Sequence, residues 1–107
     1  LFDKNVWGPK LWEIMHTFSF SYPDTPSLQH KQSAFNFFSS IGLLIPCTNC
    51  SMHCKEYIYN NQPNVNSKND LIMWVFNFHN EVNKRLNKSQ YSINDLYNKY
   101  DKSAFCS

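Results

Sequence analysis

A chain of 107 residues with ten Lys and Arg against eight Asp and Glu carries a net charge of +2, its two signs interspersed, which leaves no electrostatic footprint for nucleic acid or an anionic membrane. That length suits one domain with one core, so residues 1–107 read as a single domain. Hydrophobic residues at 42%, aromatics at 17% and only two glycines exclude a disordered or collagen-like chain; no apolar run reaches the roughly 18 residues that span a bilayer and no leader layout opens the chain, so a soluble helical protein is expected.

Trp7-Gly8-Pro9 reads as a helix start, because proline at a first helical position has its φ already set and loses no useful N–H. Leu11, Ile14, Met15 and Phe18 follow at helical spacing, with Trp12 and His16 one turn apart on an adjoining face, until Tyr22-Pro23 stops the helix. After the turn Pro23-Asp24-Thr25-Pro26, Ser27 is placed to cap a second helix with the stripe Leu28, Ala34, Phe35, Phe38 and Ile41, its end bracketed by Gly42 and Pro46. A third helix is expected from around Cys47 towards Tyr59, followed by a polar loop from Asn60 to Asn69. Ser67-Lys68-Asn69-Asp70 has capping-box spacing, and Leu71, Trp74, Val75, Phe78, Val82 and Leu86 then keep helical period over the longest helix. Ser92 to Asp95 repeats the cap before a short last helix with Leu96, Tyr97 and Tyr100. No strand pattern emerges, so the expected fold is all-α: a four-helix bundle with a short fifth helix packed across it.

The stretch IPCTNCSMHC, Ile45 to Cys54, holds three of the four cysteines. If Cys47 begins a helix, both Cys47 and Cys50 sit in its first turn, where free N–H groups and the helix dipole favour thiolates. So short a loop adds little as a staple and suits dithiol exchange. Zinc is the competing reading, with Cys47, Cys50 and Cys54 joined by His53 or Cys106 in a small helical interaction module, although a closed zinc site usually draws on two knuckles and one is present. Haem attachment is excluded, because Ser51 stands where histidine would follow the second cysteine.

In the fourth helix His79 and Asn83 lie one turn apart beside the core stripe, with Asn80 round the corner and Lys84, Arg85 and Lys88 at the C-terminal end. These suit either a solvated helix end or a flat ligand bearing phosphates. Trp12 with His16, mirrored by Trp74 with His79, adds to the second possibility a pair of helices that could flank a planar cofactor.

Taken together, WGPKLWEIMHT (Trp7 to Thr17), SYPDTP (Ser21 to Pro26), PCTNC (Pro46 to Cys50) and HNEVNKRLNK (His79 to Lys88) resemble the FAD-linked sulfhydryl oxidases of the augmenter-of-liver-regeneration type. The resemblance implies FAD at one mouth of the bundle, thiol-containing protein substrates, dioxygen as electron acceptor with hydrogen peroxide as product, and a homodimer. It implies that Gly8, Pro9, Trp12 and His16 line the cofactor from the first helix, and Phe76, His79, Asn80, Val82, Asn83, Leu86 and Lys88 from the fourth, with Lys99 and Tyr100 nearby. Cys50 would face the flavin, Cys47 would meet the substrate, and no metal is implied. Cellular members often carry a further disulfide joining the segments that correspond to YIYNNQ and QYSIND, which hold no cysteine here; short viral members can lack it, and the asparagine-rich composition accords with an AT-rich viral genome. The compartment stays open between host cytoplasm or virion, for a viral protein, and the mitochondrial intermembrane space or another organelle. Cys54 is expected to be a buried, idle thiol; Cys106 is expected to be half of a shuttle pair, a partner for Cys54, or free.

Overall fold

Each helix starts on a residue whose side chain accepts a backbone N–H from the first turn: Asp3 from Asn5, Ser27 from His30, Cys47 from Cys50, Ser67 from Asp70 and Ser92 from Asp95. Such caps contribute about 1 kcal/mol apiece and fix where the helices begin. The computed structural model describes residues 2–101, and these form α1 (Lys4–Phe20), α2 (Leu28–Leu44), α3 (Thr48–Asn60), α4 (Lys68–Arg85) and α5 (Ile93–Tyr100), with no strand among the described residues.

The first helix differs from expectation at its start. Asp3 caps it more than one turn ahead of Trp7, so Pro9 lies inside α1 and not at its first position. A proline there withholds the N–H that the Asn5 carbonyl would otherwise accept. The cap decides the boundary because it satisfies an orphan donor, while proline within the second turn costs only one helical bond.

The bundle pairs α1 with α4 and α2 with α3, and α5 lies on α1. Its main core takes Met15 from α1, Phe38 and Ile41 from α2, Cys54 and Ile58 from α3, and Leu71, Trp74, Val75 and Phe78 from α4. Burying large apolar side chains as completely as Phe38 and Phe78 contributes roughly 1.5–3 kcal/mol each. A smaller cluster of Phe20, Ile72 and Leu96 anchors α5. The expected stripes are partly rotated: Ile14 and Phe18 are each 47% exposed and Leu28 is 71% exposed, while α1 buries Met15, His16, Ser19 and Phe20. The buried side of α1 is set by the histidine and aromatic rings it meets on α4, which hydrophobicity alone does not register. The predicted Asn60 to Asn69 loop closes over the bundle through two hydrogen bonds, Trp74 Nε1 to the Asn61 carbonyl (2.9 Å) and the Tyr22 hydroxyl to the Val65 carbonyl (2.8 Å).

The end of α2 at Leu44 falls between Gly42 and Pro46 as expected, with Gly42 still inside the helix. Gly42 is the point where α3 crosses. A Cβ built on Gly42 would stand 2.9 Å from Lys55 Cγ, 3.0 Å from Lys55 N and 3.3 Å from Lys55 Cα. Two of those atoms are backbone, so the helices themselves would have to separate. The Ser51 hydroxyl, donating to the Gly42 carbonyl, bridges the same crossing. Gly42→Ala is therefore expected to lose about 1–3 kcal/mol despite the better helix propensity of alanine. Chemical denaturation checks this, and an unchanged or raised midpoint would contradict the close crossing.

Candidate active site

Ile45 and Pro46 form the bend that follows α2, and Cys47 takes extended backbone (φ −158°, ψ 110°), while Cys50 already belongs to the first turn of α3. The Cys50 N–H donates to Cys47 Sγ at 3.3 Å, so the first sulfur is itself the helix cap. Cys47 opens onto an outer groove with Leu43, Pro46, Met52 and Lys55, whereas Cys50 lines an inner cavity on the other side of the chain. Both cysteines are free thiols in this structure.

Their acidities diverge, contrary to the expectation of two favoured thiolates. Hydrogen bonds from the Cys50 thiol and the Cys50 N–H hold the Cys47 thiol below its ordinary pKa, helped by the Lys4 charge. Burial raises Cys50, and sharing a proton with Cys47 raises it further, with Lys4 and Arg85 opposing. A negative charge is stabilised where N–H groups converge on it, and only Cys47 occupies that point.

The inner cavity, about 480 Å³, lies between α1, α3, α4 and the C-terminal end of α5. Trp12 stacks flat on His79 (ring centroids 4.1 Å apart, planes 5° apart) and meets the edge of Phe78 at 5.1 Å. His79 Nδ1 lies 2.8 Å from His16 Nε2. Burial lowers both imidazoles, His16 to about 4 and His79 to about 3, with the Lys99 charge acting in the same direction, so both rings are neutral at pH 7. The mirrored pairing of Trp74 with His79 does not occur. Trp74 turns its indole towards Asn61 and packs on Phe38 and Phe78, because positions five apart on a helix diverge by more than a right angle.

Of the residues singled out from the sequence, Gly8, Pro9 and Trp12 on α1 stand on the cavity wall with Cys50. So do His79, Val82, Asn83, Leu86 and Lys88 on and just beyond α4, and Lys99 and Tyr100 on α5. Four stand elsewhere. Cys47 faces the outer groove, and His16 lies behind His79 with 1% of its surface exposed. Phe76 packs against the cluster around Leu96. Asn80 spends its whole amide on Tyr91, accepting from the Tyr91 N–H at 2.8 Å and donating to the Tyr91 carbonyl at 2.9 Å. The effect of Asn80 on the cavity runs through Tyr91, which does line it.

Sequence reading misses Lys4, Trp7, Tyr91 and Cys54, all of which border the cavity, while Arg85, read as a possible phosphate contact, borders it too. Lys4 and Trp7 belong to a helical turn that was not foreseen, and Tyr91 reaches the wall from a loop. Cys54 is buried as expected, and burial pushes its thiol up to about 11, but it sits on the same wall as Cys50. Lys88 is delivered by the end of α4. Asn87 takes the left-handed conformation (φ 57°), its N–H reaches the Lys84 carbonyl, and the Lys88 N–H reaches the Asn83 carbonyl at 2.8 Å, the paired bonds of a Schellman motif.

The wall therefore combines aromatic faces, cationic side chains and two cysteine sulfurs, those of Cys50 and Cys54. A flat aromatic ligand with phosphates fits it on two further observations: Trp7 Nε1 is a buried donor without a partner among the described residues, and, apart from its chain neighbours and its own helix backbone, nothing lies within 4 Å of the position a Gly8 Cβ would take. A larger groove of about 640 Å³, between the end of α1 and α2, contains no cysteine and carries His30 already committed to capping Ser27. The chemistry selects the smaller cavity.

A model of the Erv1 / Alr family matches residues 9–102. An FAD-linked sulfhydryl oxidase of African swine fever virus is 37% identical over 97 residues, covering 91% of this chain and 82% of the viral protein. The mitochondrial FAD-linked sulfhydryl oxidase ERV1 of Saccharomyces cerevisiae is 33% identical over 92 residues, covering 86% of this chain and 49% of the yeast protein. A crystal structure of the FAD binding domain of Erv1 from Saccharomyces cerevisiae superposes with a TM-score of 0.89 at 30% identity, covering 94% of this chain and 95% of that domain.

The divergent acidities set an order of reactivity. In the reduced protein, iodoacetamide should modify Cys47 first, with a pH midpoint below that of an ordinary thiol. Cys54 should resist until the protein unfolds. Peptide mass mapping after timed quenching reads both, and equal labelling of Cys47 and Cys50 across the pH range would refute the asymmetry.

Proposed function

The chain belongs to the Erv1/Alr family and is an FAD-linked sulfhydryl oxidase that forms disulfide bonds; on that premise we propose that Cys47 receives the substrate and Cys50 passes the electrons inward. One observation carries the assignment of roles: the two sulfurs are adjacent through the Cys47 cap yet open on different sides, Cys47 to the outer groove and Cys50 to the cavity.

In the oxidised enzyme Cys47 and Cys50 form a disulfide. A substrate thiolate attacks Cys47 from the outer groove, the Cys47–Cys50 bond breaks, and Cys50 leaves as a thiolate. Leaving is opposed by burial of Cys50 and favoured by the charges of Lys4 and Arg85. A second substrate thiolate then attacks the mixed disulfide and frees Cys47, so two electrons and two protons have passed from substrate to the enzyme pair. Bound FAD supplies the two-electron acceptor that restores the Cys47–Cys50 disulfide, with dioxygen as the final acceptor, for a balance of two R–SH and O₂ giving R–S–S–R and H₂O₂. Trp7, Trp12 and Tyr100 offer the cofactor ring contact, Lys88 and Lys99 offer its phosphates charge, and Gly8 leaves room for it. The buried aromatic surroundings keep water and stray thiols from the inner sulfur.

We also infer a homodimer, supported by the outward apolar residues Ile14 and Phe18 of α1 and Phe37 of α2, where the rings of Phe18 and Phe37 lie 5.3 Å apart. The zinc reading has no support in the geometry: no group of three or more His, Cys, Asp or Glu is placed to hold a metal ion among the described residues, and Cys106 lies outside them.

The purified protein is expected to be yellow, to oxidise dithiothreitol with release of peroxide, and to sediment at twice the chain mass. Cys50→Ala should keep the flavin and lose turnover by several orders of magnitude; normal turnover in that variant, or a colourless protein with stoichiometric zinc, would overturn the reading. Gly8→Ala separates binding from folding. Its added Cβ meets no neighbouring element, so stability should change by no more than about 1 kcal/mol, while flavin occupancy should fall. Full flavin content in Gly8→Ala would remove Gly8 from the cofactor site.

A further inference from the structure

His16 is buried to 1% and is not on the cavity wall, yet it makes a direct hydrogen bond to a residue that is. The contact, His16 Nε2 to His79 Nδ1 at 2.8 Å, joins two imidazoles that are both neutral, so one ring must donate and the other accept. Nothing in a pair of identical rings decides which. The surroundings do: His16 Nδ1 is buried and has no partner among the described residues.

If His79 donates, His16 must carry its proton on Nδ1, and a buried N–H is left without an acceptor. If His16 donates, its Nδ1 is a bare lone pair. Orphaned buried N–H groups are rarer in proteins than under-satisfied acceptors, and an unpaired buried donor costs about 1–3 kcal/mol. The second arrangement is therefore favoured. It also determines the far side of His79, whose Nε2 makes no hydrogen bond within the described residues while the ring borders the cavity. The flat stacking of Trp12 on His79 at 4.1 Å opposes a turn of the ring that would put Cδ2 and Cε1 where Nδ1 and Nε2 stand.

We propose that His16 is a positioning residue: its Nε2–H donates to His79 Nδ1, fixing His79 as the Nε2–H tautomer that presents a hydrogen-bond donor to an acceptor atom of the cofactor. The role rests on the flavin reading for the identity of the ligand, but the proton position is a property of the chain itself. On this account His79 touches the cofactor and His16 acts only through it. Glutamine can stand in for His16 because its amide N–H reaches about as far as imidazole Nε2, and leucine cannot.

The test is side-chain nitrogen NMR on the FAD-loaded protein labelled with ¹⁵N-histidine. His79 should show a protonated Nε2 and an unprotonated Nδ1, with a scalar coupling across the hydrogen bond from His16 Nε2 to His79 Nδ1. A proton on His79 Nδ1 would overturn the proposal. His16→Leu should weaken FAD binding about tenfold, equivalent to ~1.4 kcal/mol, and should leave His79 as a mixture of tautomers; His16→Gln should restore a single Nε2–H tautomer and most of the affinity. Wild-type affinity in His16→Leu would count against the role, and if that variant does not fold, the wild-type spectrum and His16→Gln still decide it. A protein that carried no flavin would count against the functional reading alone, and the proton position measured in that flavin-free protein would still settle the pairing.

Discussion

The structure turns on a helix cap made of sulfur. Because Cys47 holds the extended N-cap position and accepts the Cys50 N–H, the two cysteines share one turn of chain while belonging to different backbone conformations. That single change of conformation, from the extended Cys47 to the helical turn that begins at Thr48, lets one sulfur open to the surface groove and the other to the interior. A pair placed wholly inside a helix would present both sulfurs to similar surroundings. Here the cap draws charge onto the outer sulfur, burial withholds it from the inner one, and the direction of electron flow is built into the first turn of α3.

Everything else about the site is a matter of holding a cavity against Cys50. The α1–α4 pairing supplies it, and its critical contacts are polar and aromatic: Trp12 on His79, and His79 on His16. This explains why α1 leaves Ile14 and Phe18 in solvent while burying a histidine and a serine. Two histidines in a core are tolerable only as neutral rings with a shared hydrogen bond, and burial keeps them so. Gly42 and Asn87 serve the same end from a distance, the first by letting α2 and α3 approach, the second by ending α4 so that Lys88 falls at the cavity.

Much of this was legible in the residues. Ser27, Ser67 and Ser92 were read correctly as caps, since capping depends on atoms within three residues and any folded context must satisfy the same N–H groups. The start of α1 was misplaced because Pro9 was given more weight than Asp3. Most residues singled out by the resemblance stand on the cavity wall, and the exceptions among its proposed cofactor contacts have local causes: Asn80 is consumed by the Tyr91 backbone, Phe76 by the α5 anchor, and His16 by His79.

The sequence alone therefore determined the five helices, the three serine caps, the cysteine pair and the family to which they belong, because each rests on spacing along the chain and on chemistry within a turn or two. Only the tertiary structure decided which rings meet. His16 and His79 are 63 positions apart, Asn80 and Tyr91 eleven, and Cys50 finds its cavity from the other four helices. Such contacts depend on the rotation of each helix about its own axis. A rotation of one residue position, 100° in an α-helix, exchanges a wall residue for a buried one, and the energy that selects it is spread over the whole packed core.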